Sequence, residues 1–123
     1  MEWAKANNSP LGYFPVVYHL MTQAVQQGIQ TGLFDDGPRM ERLDILFAQR
    51  YFAAFDAWQA GLPTTLSWAQ AFEAASSDNI TVLQHVLLGI NAHISLDLGI
   101  AAAQTCPGAE IQDLHTDFDR ING

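Results

Sequence analysis

The chain is poor in cationic side chains. Lysine and arginine together contribute 5 of its 123 residues, against 13 aspartates and glutamates, so the formal net charge is −8. Five scattered cations cannot form a phosphate-binding stripe, and we therefore expect no nucleic-acid partner. The same deficit argues against docking onto an anionic membrane surface.

Cysteine and targeting signals are also scarce. Cys106 is the only cysteine, which excludes a disulfide within this chain and a cysteine-based zinc site. Its free thiol suits a reducing compartment, and the N-terminal residues lack a basic stretch followed by an uninterrupted apolar run. We therefore expect a cytoplasmic protein without a signal peptide. The most apolar stretch, residues 80–103, contains His85, His93 and Asp97, which indicates a buried core helix rather than a membrane span.

Strand-like alternation of apolar and polar residues is missing, and apolar residues instead recur at helical spacing. This pattern predicts an all-α fold, a single-domain bundle of about five helices with a long, central fourth helix. After an irregular lead-in over residues 1–12, turn signals place the helices at about residues 14–32, 39–60, 66–76, 80–104 and 109–123. Ser77, Asp78 and Asn79 offer an N-cap to the fourth helix. Because the last helix keeps its apolar spacing to the chain end, the chain could also be the N-terminal part of a longer domain.

Each helix is expected to bury one apolar face. On the first helix, the spacing predicts an inward face of Val17, Leu20, Met21, Ala24 and Val25. On the second helix, the predicted inward face consists of Met40, Leu43, Phe47, Tyr51, Ala54, Phe55 and Trp58.

Three ionisable residues fall within these apolar faces. Asp44 lies inside the face of the second helix, and His93 and Asp97 project together from the fourth helix because they are four residues apart. A carboxylate buried without a partner costs several kcal/mol, so each must be protonated, paired or bound to a cation. We expect all three side chains to be largely buried and to meet between the second and fourth helices.

A divalent metal ion would account for this burial. His93, Asp97 and Asp44 are candidate ligands because two carboxylates and a neutral imidazole balance a divalent charge and leave positions open for water. Asp44 could instead act as a general base beside the bound water, with Arg50 and Tyr51 orienting an anionic small-molecule substrate. This hypothesis is a divalent-metal-dependent hydrolase with Asp44, Arg50 and Tyr51 as catalytic candidates.

A fourth ligand could come from His115 or Asp117 on the last helix. His85 lies about 12 Å along the fourth helix from His93, at about 1.5 Å per residue, which is too far for the same ion.

Two alternatives need no catalysis. In the first, Arg50 or Tyr51 completes a polar network with Asp44, His93 and Asp97 inside a helical module that binds a small ligand or a partner. In the second, the helices complete their core in a homo-oligomer or with further C-terminal residues.

Several segments carry a family resemblance. Residues 40–52, 67–68, 71–74 and 83–98, above all the run from Asn91 through His93 and Asp97 to Leu98, resemble an uncharacterised bacterial family, the domain of unknown function numbered 5995. The resemblance extends over about residues 18–122, and it implies an all-α soluble protein without an assigned activity. The chain is also loosely similar to helical zinc phosphodiesterases of the phospholipase C kind, whose His-x-x-x-Asp ligands match here only at His93 and Asp97.

Overall fold

The computed structural model describes residues 1–122, and this part of the chain is helical without strands. The helices are α1 (Glu2–Ala6), α2 (Tyr13–Gln30), α3 (Gly37–Gln59), α4 (Leu66–Glu73), α5 (Val82–Ala92), α6 (Leu98–Thr105) and α7 (Ile111–Asn122). Single 3₁₀ turns lie at Pro10–Gly12, Ala74–Ser76 and Gly108–Glu110. The predicted all-α fold is confirmed, whereas the predicted irregular lead-in is wrong, since it contains α1 and the first 3₁₀ turn.

The predicted fourth helix is not one regular helix. A π-helical segment at His93–Asp97, called the π segment below, joins α5 to α6 without a break. The longest regular helix is α3, with 23 residues. Helix α5 packs against α2 and α4, and α6 packs against α3. The core lies in two clusters, one around Trp68 between α2, α3, α4 and α5, and the other around Met40 between α3, α6 and α7.

The start of α5 is set by a capping box. The Thr81 hydroxyl oxygen accepts a hydrogen bond from the Gln84 backbone N–H, and the Gln84 side-chain oxygen accepts one from the Thr81 backbone N–H. This reciprocal pair satisfies two N–H groups that a helix end otherwise leaves free. The predicted N-cap at residues 77–79 is therefore wrong. The N-cap is Thr81, where both backbone N–H groups find an acceptor.

Helix α2 is rotated relative to the predicted face. Leu20 is 61% exposed, and Ala24 is also exposed, so the prediction that both point inward is wrong. The inward side of α2 carries Phe14, Tyr18, Val25 and Ile29 against the two core clusters, and of these only Val25 belongs to the predicted face. Their spacing of four, seven and four residues keeps them on one side of the helix.

The segment from α5 to α6 turns its small and polar residues inward. His85, Gly89 and Ala92 are buried, whereas Leu83 is 66% exposed. Small residues on the inner side allow neighbouring helices to approach closely, as shown by Gly89, where an added Cβ would lie 2.6 Å from Phe14 Cγ. Leu83 and Leu87 therefore remain on the outer side, whereas Leu88 packs against the cluster around Trp68.

By length and composition alone, residues 82–105 could cross a membrane, although core helices of soluble proteins satisfy the same criterion. The inward side of residues 82–105 holds two ionisable residues, His93 and Asp97. The cytoplasmic location, the absence of membrane and nucleic-acid partners and the homo-oligomer all stay predictions.

Candidate functional site

The π segment places two ionisable side chains at the centre of the bundle. His93 is 2% exposed and Asp97 is fully buried. Asp97 accepts three hydrogen bonds, from Trp68 Nε1 at 2.7 Å, from Arg50 Nε at 3.1 Å and from His93 Nδ1 at 3.3 Å. Trp68 belongs to α4 and Arg50 to α3, so this carboxylate ties three elements together. We call these four residues the Asp97 network.

The charge state of the network follows from its donors. Burial alone would raise the pKa of Asp97, but hydrogen bonds from His93, Trp68 and Arg50 lower it below its ordinary value. Burial lowers the pKa of His93, and the neighbouring Asp97 opposes that shift without cancelling it. At neutral pH the network therefore contains an ionised carboxylate and a neutral imidazole.

The His93 ring is held by aromatic neighbours. It stacks on Phe47 with ring centroids 3.5 Å apart and an interplanar angle of 5°. Tyr18 and Phe14 meet it edge to face, with centroids 4.8 and 5.5 Å away. The second ring nitrogen, Nε2, is buried without a hydrogen-bond partner among the described residues. The π segment thus presents an oriented imidazole with one free nitrogen.

His93 lines an apolar cavity of about 260 Å³ between α2, α3, α5, the π segment, α6 and α7. Most of the lining is aliphatic or aromatic. The polar lining residues are Tyr18, Thr22, Asp44 and His93. Tyr18 Oη and Thr22 Oγ1 are buried side by side, and a hydrogen bond from Thr22 opposes the rise of the Tyr18 pKa that burial causes. One unpaired imidazole nitrogen and one pair of hydroxyl groups therefore border one largely apolar space, which we call the apolar cavity.

Asp44 reaches the same cavity but is less buried than expected. All three ionisable side chains were predicted to be largely buried: His93 and Asp97 are, whereas Asp44 is of intermediate exposure. Asp44 lies at the flank of the line formed by Leu43 and Phe47 on α3, which occupies the inner side. Burial raises the pKa of Asp44, and burial together with the Asp44 charge raises the pKa of Tyr18.

The three candidate metal ligands do not form a joint ligand set. Within residues 1–122, no three histidine, cysteine, aspartate or glutamate side chains group so that they could hold a metal ion. His93 and Asp97 contact each other directly, while Asp44 lines the cavity without joining the pair. The structure therefore brings two of the candidates together and leaves the third apart.

The other two catalytic candidates lie outside the cavity lining. Arg50 uses its Nε for Asp97, as the network alternative anticipated. Tyr51 is buried against Phe14 and Trp68, with ring centroids 5.2 Å from each. Burial raises the pKa of Tyr51 to about 12. Both residues therefore support the core around the site.

Asp117, a candidate fourth ligand, belongs to a separate ion-pair cluster. It is fully buried and accepts hydrogen bonds from Arg39 Nη2 at 2.8 Å and Arg120 Nη1 at 3.0 Å. The backbone N–H groups of Asp35 and Asp36 donate to it at 2.6 and 3.2 Å. Burial would raise the pKa of Asp117, but these donors lower it. The cluster fastens α7 to the turn before α3.

The other two histidines considered above as ligands, His115 and His85, have other neighbours. His115 is exposed and pairs with Asp119 at 3.4 Å. His85 is buried near Tyr13, with ring centroids 6.0 Å apart.

Three site residues were missed from the sequence. Trp68 reads as a core residue, although a buried indole N–H usually finds an acceptor, and a carboxylate on an apolar face could have supplied that acceptor. Tyr18 and Thr22 were missed because the face of α2 was assigned through Leu20. Their signal is the four-residue spacing from Phe14 to Tyr18 and from Tyr18 to Thr22, which continues the line of a buried aromatic residue.

Comparison with known proteins identifies a family and no individual relative. No curated protein and no solved structure matches the chain. The similarity to zinc phosphodiesterases and the bacterial origin therefore stay without support. The model of a family of unknown function (DUF5995) matches residues 1–123, and the chain belongs to that family.

Proposed function

We infer that the chain binds a small, mainly apolar molecule in the apolar cavity. The observation that carries this proposal is the space of about 260 Å³ lined mostly by aliphatic and aromatic side chains. Protein interiors are close-packed and rarely leave voids larger than a water molecule. A dry apolar cavity of about 150 Å³ already accommodates benzene, so this one has room for roughly ten non-hydrogen atoms.

The rim of the cavity supplies a route for such a molecule. Met21 on α2 is 47% exposed, Ile94 in the π segment is 50% exposed, and Ile121 on α7 is 38% exposed. All three line the cavity, which is open to solvent on one side, so flexible apolar side chains from three elements form its mouth. Ligand pockets of this type are apolar with a small number of placed polar groups, which matches the four polar residues in this lining.

The metal-dependent hydrolase remains the competing hypothesis. The Asp97 oxygens already accept three N–H groups, so Asp97 is arranged to orient His93 rather than to ligate an ion itself. His93 Nε2 and the Asp44 carboxyl are then the metal-donor groups of the cavity lining, whereas a catalytic zinc commonly has three protein ligands. A divalent metal bound in stoichiometric amounts by the purified protein, and lost in His93→Phe, would favour the hydrolase.

Naphthalene, with ten ring carbons, is a suitable probe of the binding proposal. We expect calorimetric titration to show saturable binding to the unmodified chain. Val25→Phe adds volume to a lining residue of α2 and should abolish binding. Ala24→Phe adds the same group at the neighbouring exposed position and should leave binding unchanged.

The outcome is decisive in either direction. No binding up to the aqueous solubility of naphthalene, or equal binding by both phenylalanine variants, would refute the proposal. Circular dichroism checks that each variant is folded. If Val25→Phe does not fold, Met21→Trp at the rim provides the second test of the same space.

A further inference from the structure

We propose that the ligand of the apolar cavity is a ring-containing alcohol or phenol whose hydroxyl group donates a hydrogen bond to Nε2 of His93. This inference rests on the proposed binding function and specifies the chemical class of the ligand.

The Asp97 network determines which nitrogen of His93 carries the proton. The indole N–H of Trp68 and the guanidinium of Arg50 can only donate, and both donate to Asp97, at 2.7 and 3.1 Å. Asp97 is therefore an acceptor throughout. Its contact with His93 Nδ1 at 3.3 Å then requires the hydrogen to lie on Nδ1. The other nitrogen, Nε2, keeps a lone pair and is an acceptor.

This acceptor is fixed in place and unused. Phe47 covers one face of the ring at 3.5 Å, and Tyr18 and Phe14 pack edge to face against it. Nε2 is buried without a hydrogen-bond partner among the described residues. Leaving a buried acceptor unpaired costs free energy, whereas a donor brought by a ligand would recover it.

The other polar groups distinguish a hydroxyl from other donors. Tyr18 and Thr22 also line the cavity, and their hydroxyl groups lie side by side, with Thr22 hydrogen-bonding to Tyr18. When one hydroxyl of such a pair donates to the other, one O–H is still free to donate. A ligand hydroxyl that donates to His93 still has an oxygen lone pair to accept from that O–H. An ammonium group has no such lone pair, so it would leave the O–H without an acceptor.

The apolar part of the lining favours a ring. Phe14, Tyr18, Phe47 and Phe118 contribute aromatic side chains to the cavity, and aromatic rings pack well on one another in offset or edge-to-face arrangements. Together with the space for about ten non-hydrogen atoms, this lining fits a phenol or a small fused-ring alcohol.

Two probes of nearly equal shape test the hydroxyl. β-Naphthol and β-methylnaphthalene differ by a hydroxyl in place of a methyl group. Calorimetry gives the dissociation constant of each, and the measured quantity is the ratio of the methyl to the hydroxyl value. We expect this ratio to fall about tenfold or more in His93→Phe, which keeps an aromatic ring but removes the acceptor. Asp44→Asn replaces the carboxyl group of the lining and should leave the ratio within about twofold.

The results separate this inference from the binding function. If both probes bind the unmodified chain but the ratio is unchanged in His93→Phe, or falls only in Asp44→Asn, the hydroxyl assignment is overturned and the binding function stands. If neither probe binds, both are overturned. Nitrogen NMR gives a test that needs no variant: Nε2 of His93 must be unprotonated in the free protein, and its signal must shift on addition of β-naphthol but not of β-methylnaphthalene. A protonated Nε2 would overturn the inference.

Discussion

The clearest test of the packing around the site is a pair of glycine substitutions in the segment from α5 to α6. A Cβ added at Gly89 would lie 2.6 Å from Phe14 Cγ, 2.7 Å from Cδ2 and 2.8 Å from Cβ. Real Cβ atoms essentially never come within 3.0 Å of another heavy atom, so Phe14 must move. Its own Cβ is among the atoms approached, and that atom moves only with the backbone of α2. A Cβ at Gly99 would meet no heavy atom within 4 Å.

The matched pair isolates the cost of overpacking. Both positions lie in helices, so each alanine gains about 1 kcal/mol of helix propensity. Overpacking a core costs about 1–3 kcal/mol, and only Gly89→Ala incurs it. We therefore expect Gly99→Ala to raise the free energy of unfolding by about 1 kcal/mol. The free energy of unfolding of Gly89→Ala should be about 1–3 kcal/mol lower than that of Gly99→Ala.

Urea denaturation followed by circular dichroism measures this difference. The slopes of the two transitions should agree, because the surface exposed on unfolding is nearly the same. Since Phe14 lines the cavity, we also expect Gly89→Ala to weaken naphthalene binding and Gly99→Ala to leave it unchanged. Equal stabilisation by both alanines would refute the close approach of α5 to α2.

Three further predictions concern single hydrogen-bonding groups. Trp68→Phe removes the N–H donor to Asp97 at 2.7 Å and should lower the free energy of unfolding by about 1.5–3 kcal/mol in urea titrations; a loss below about 0.5 kcal/mol would contradict the network. The hydrogen-bond donors around Asp117 lower the pKa of Asp117. The ion pairs of Asp117 therefore stabilise the fold above the unfolded pKa of about 3.9. The stability lost in Asp117→Asn at pH 7 should therefore shrink as the pH falls below about 4 and vanish below the folded pKa, whereas a pH-independent loss would exclude this linkage. Thr81→Ala should reduce thermal stability by about 1 kcal/mol through loss of the cap, and Ser77→Ala should have no measurable effect. A loss in Ser77→Ala and none in Thr81→Ala would disprove the assignment of Thr81 as the cap.

Much of the fold follows from helical spacing. The apolar stripe of α3 through Met40, Leu43 and Tyr51 is long and regular, and it is buried as predicted. Helix α2 has apolar residues on more than one side, so spacing alone does not select the inner one. The contacts of Phe14 with Trp68 and Tyr51 decide the orientation of α2, and they join residues far apart in the sequence.

The candidate site could also be predicted only in part from the sequence. The i, i+4 spacing of His93 and Asp97 was sufficient to predict their burial on one face. It does not reveal which donors reach Asp97, since Arg50 and Trp68 come from other helices. It also does not reveal the cavity, because an empty space depends on how four or more helices pack rather than on any single stripe.

The π segment holds one residue more than an α-helix of the same extent while keeping the facing of α6. Because a π turn accommodates one extra residue between two α-helical stretches, deletion of an exposed residue such as Ser95 would let the backbone continue as a plain α-helix with α6 in nearly the same phase. Ala101 and Thr105, which are interior, would stay interior, but His93 and Asp97 would then lie three residues apart instead of four. The number of residues between positions 93 and 97 thus sets the geometry of the His93–Asp97 pair rather than the orientation of α6.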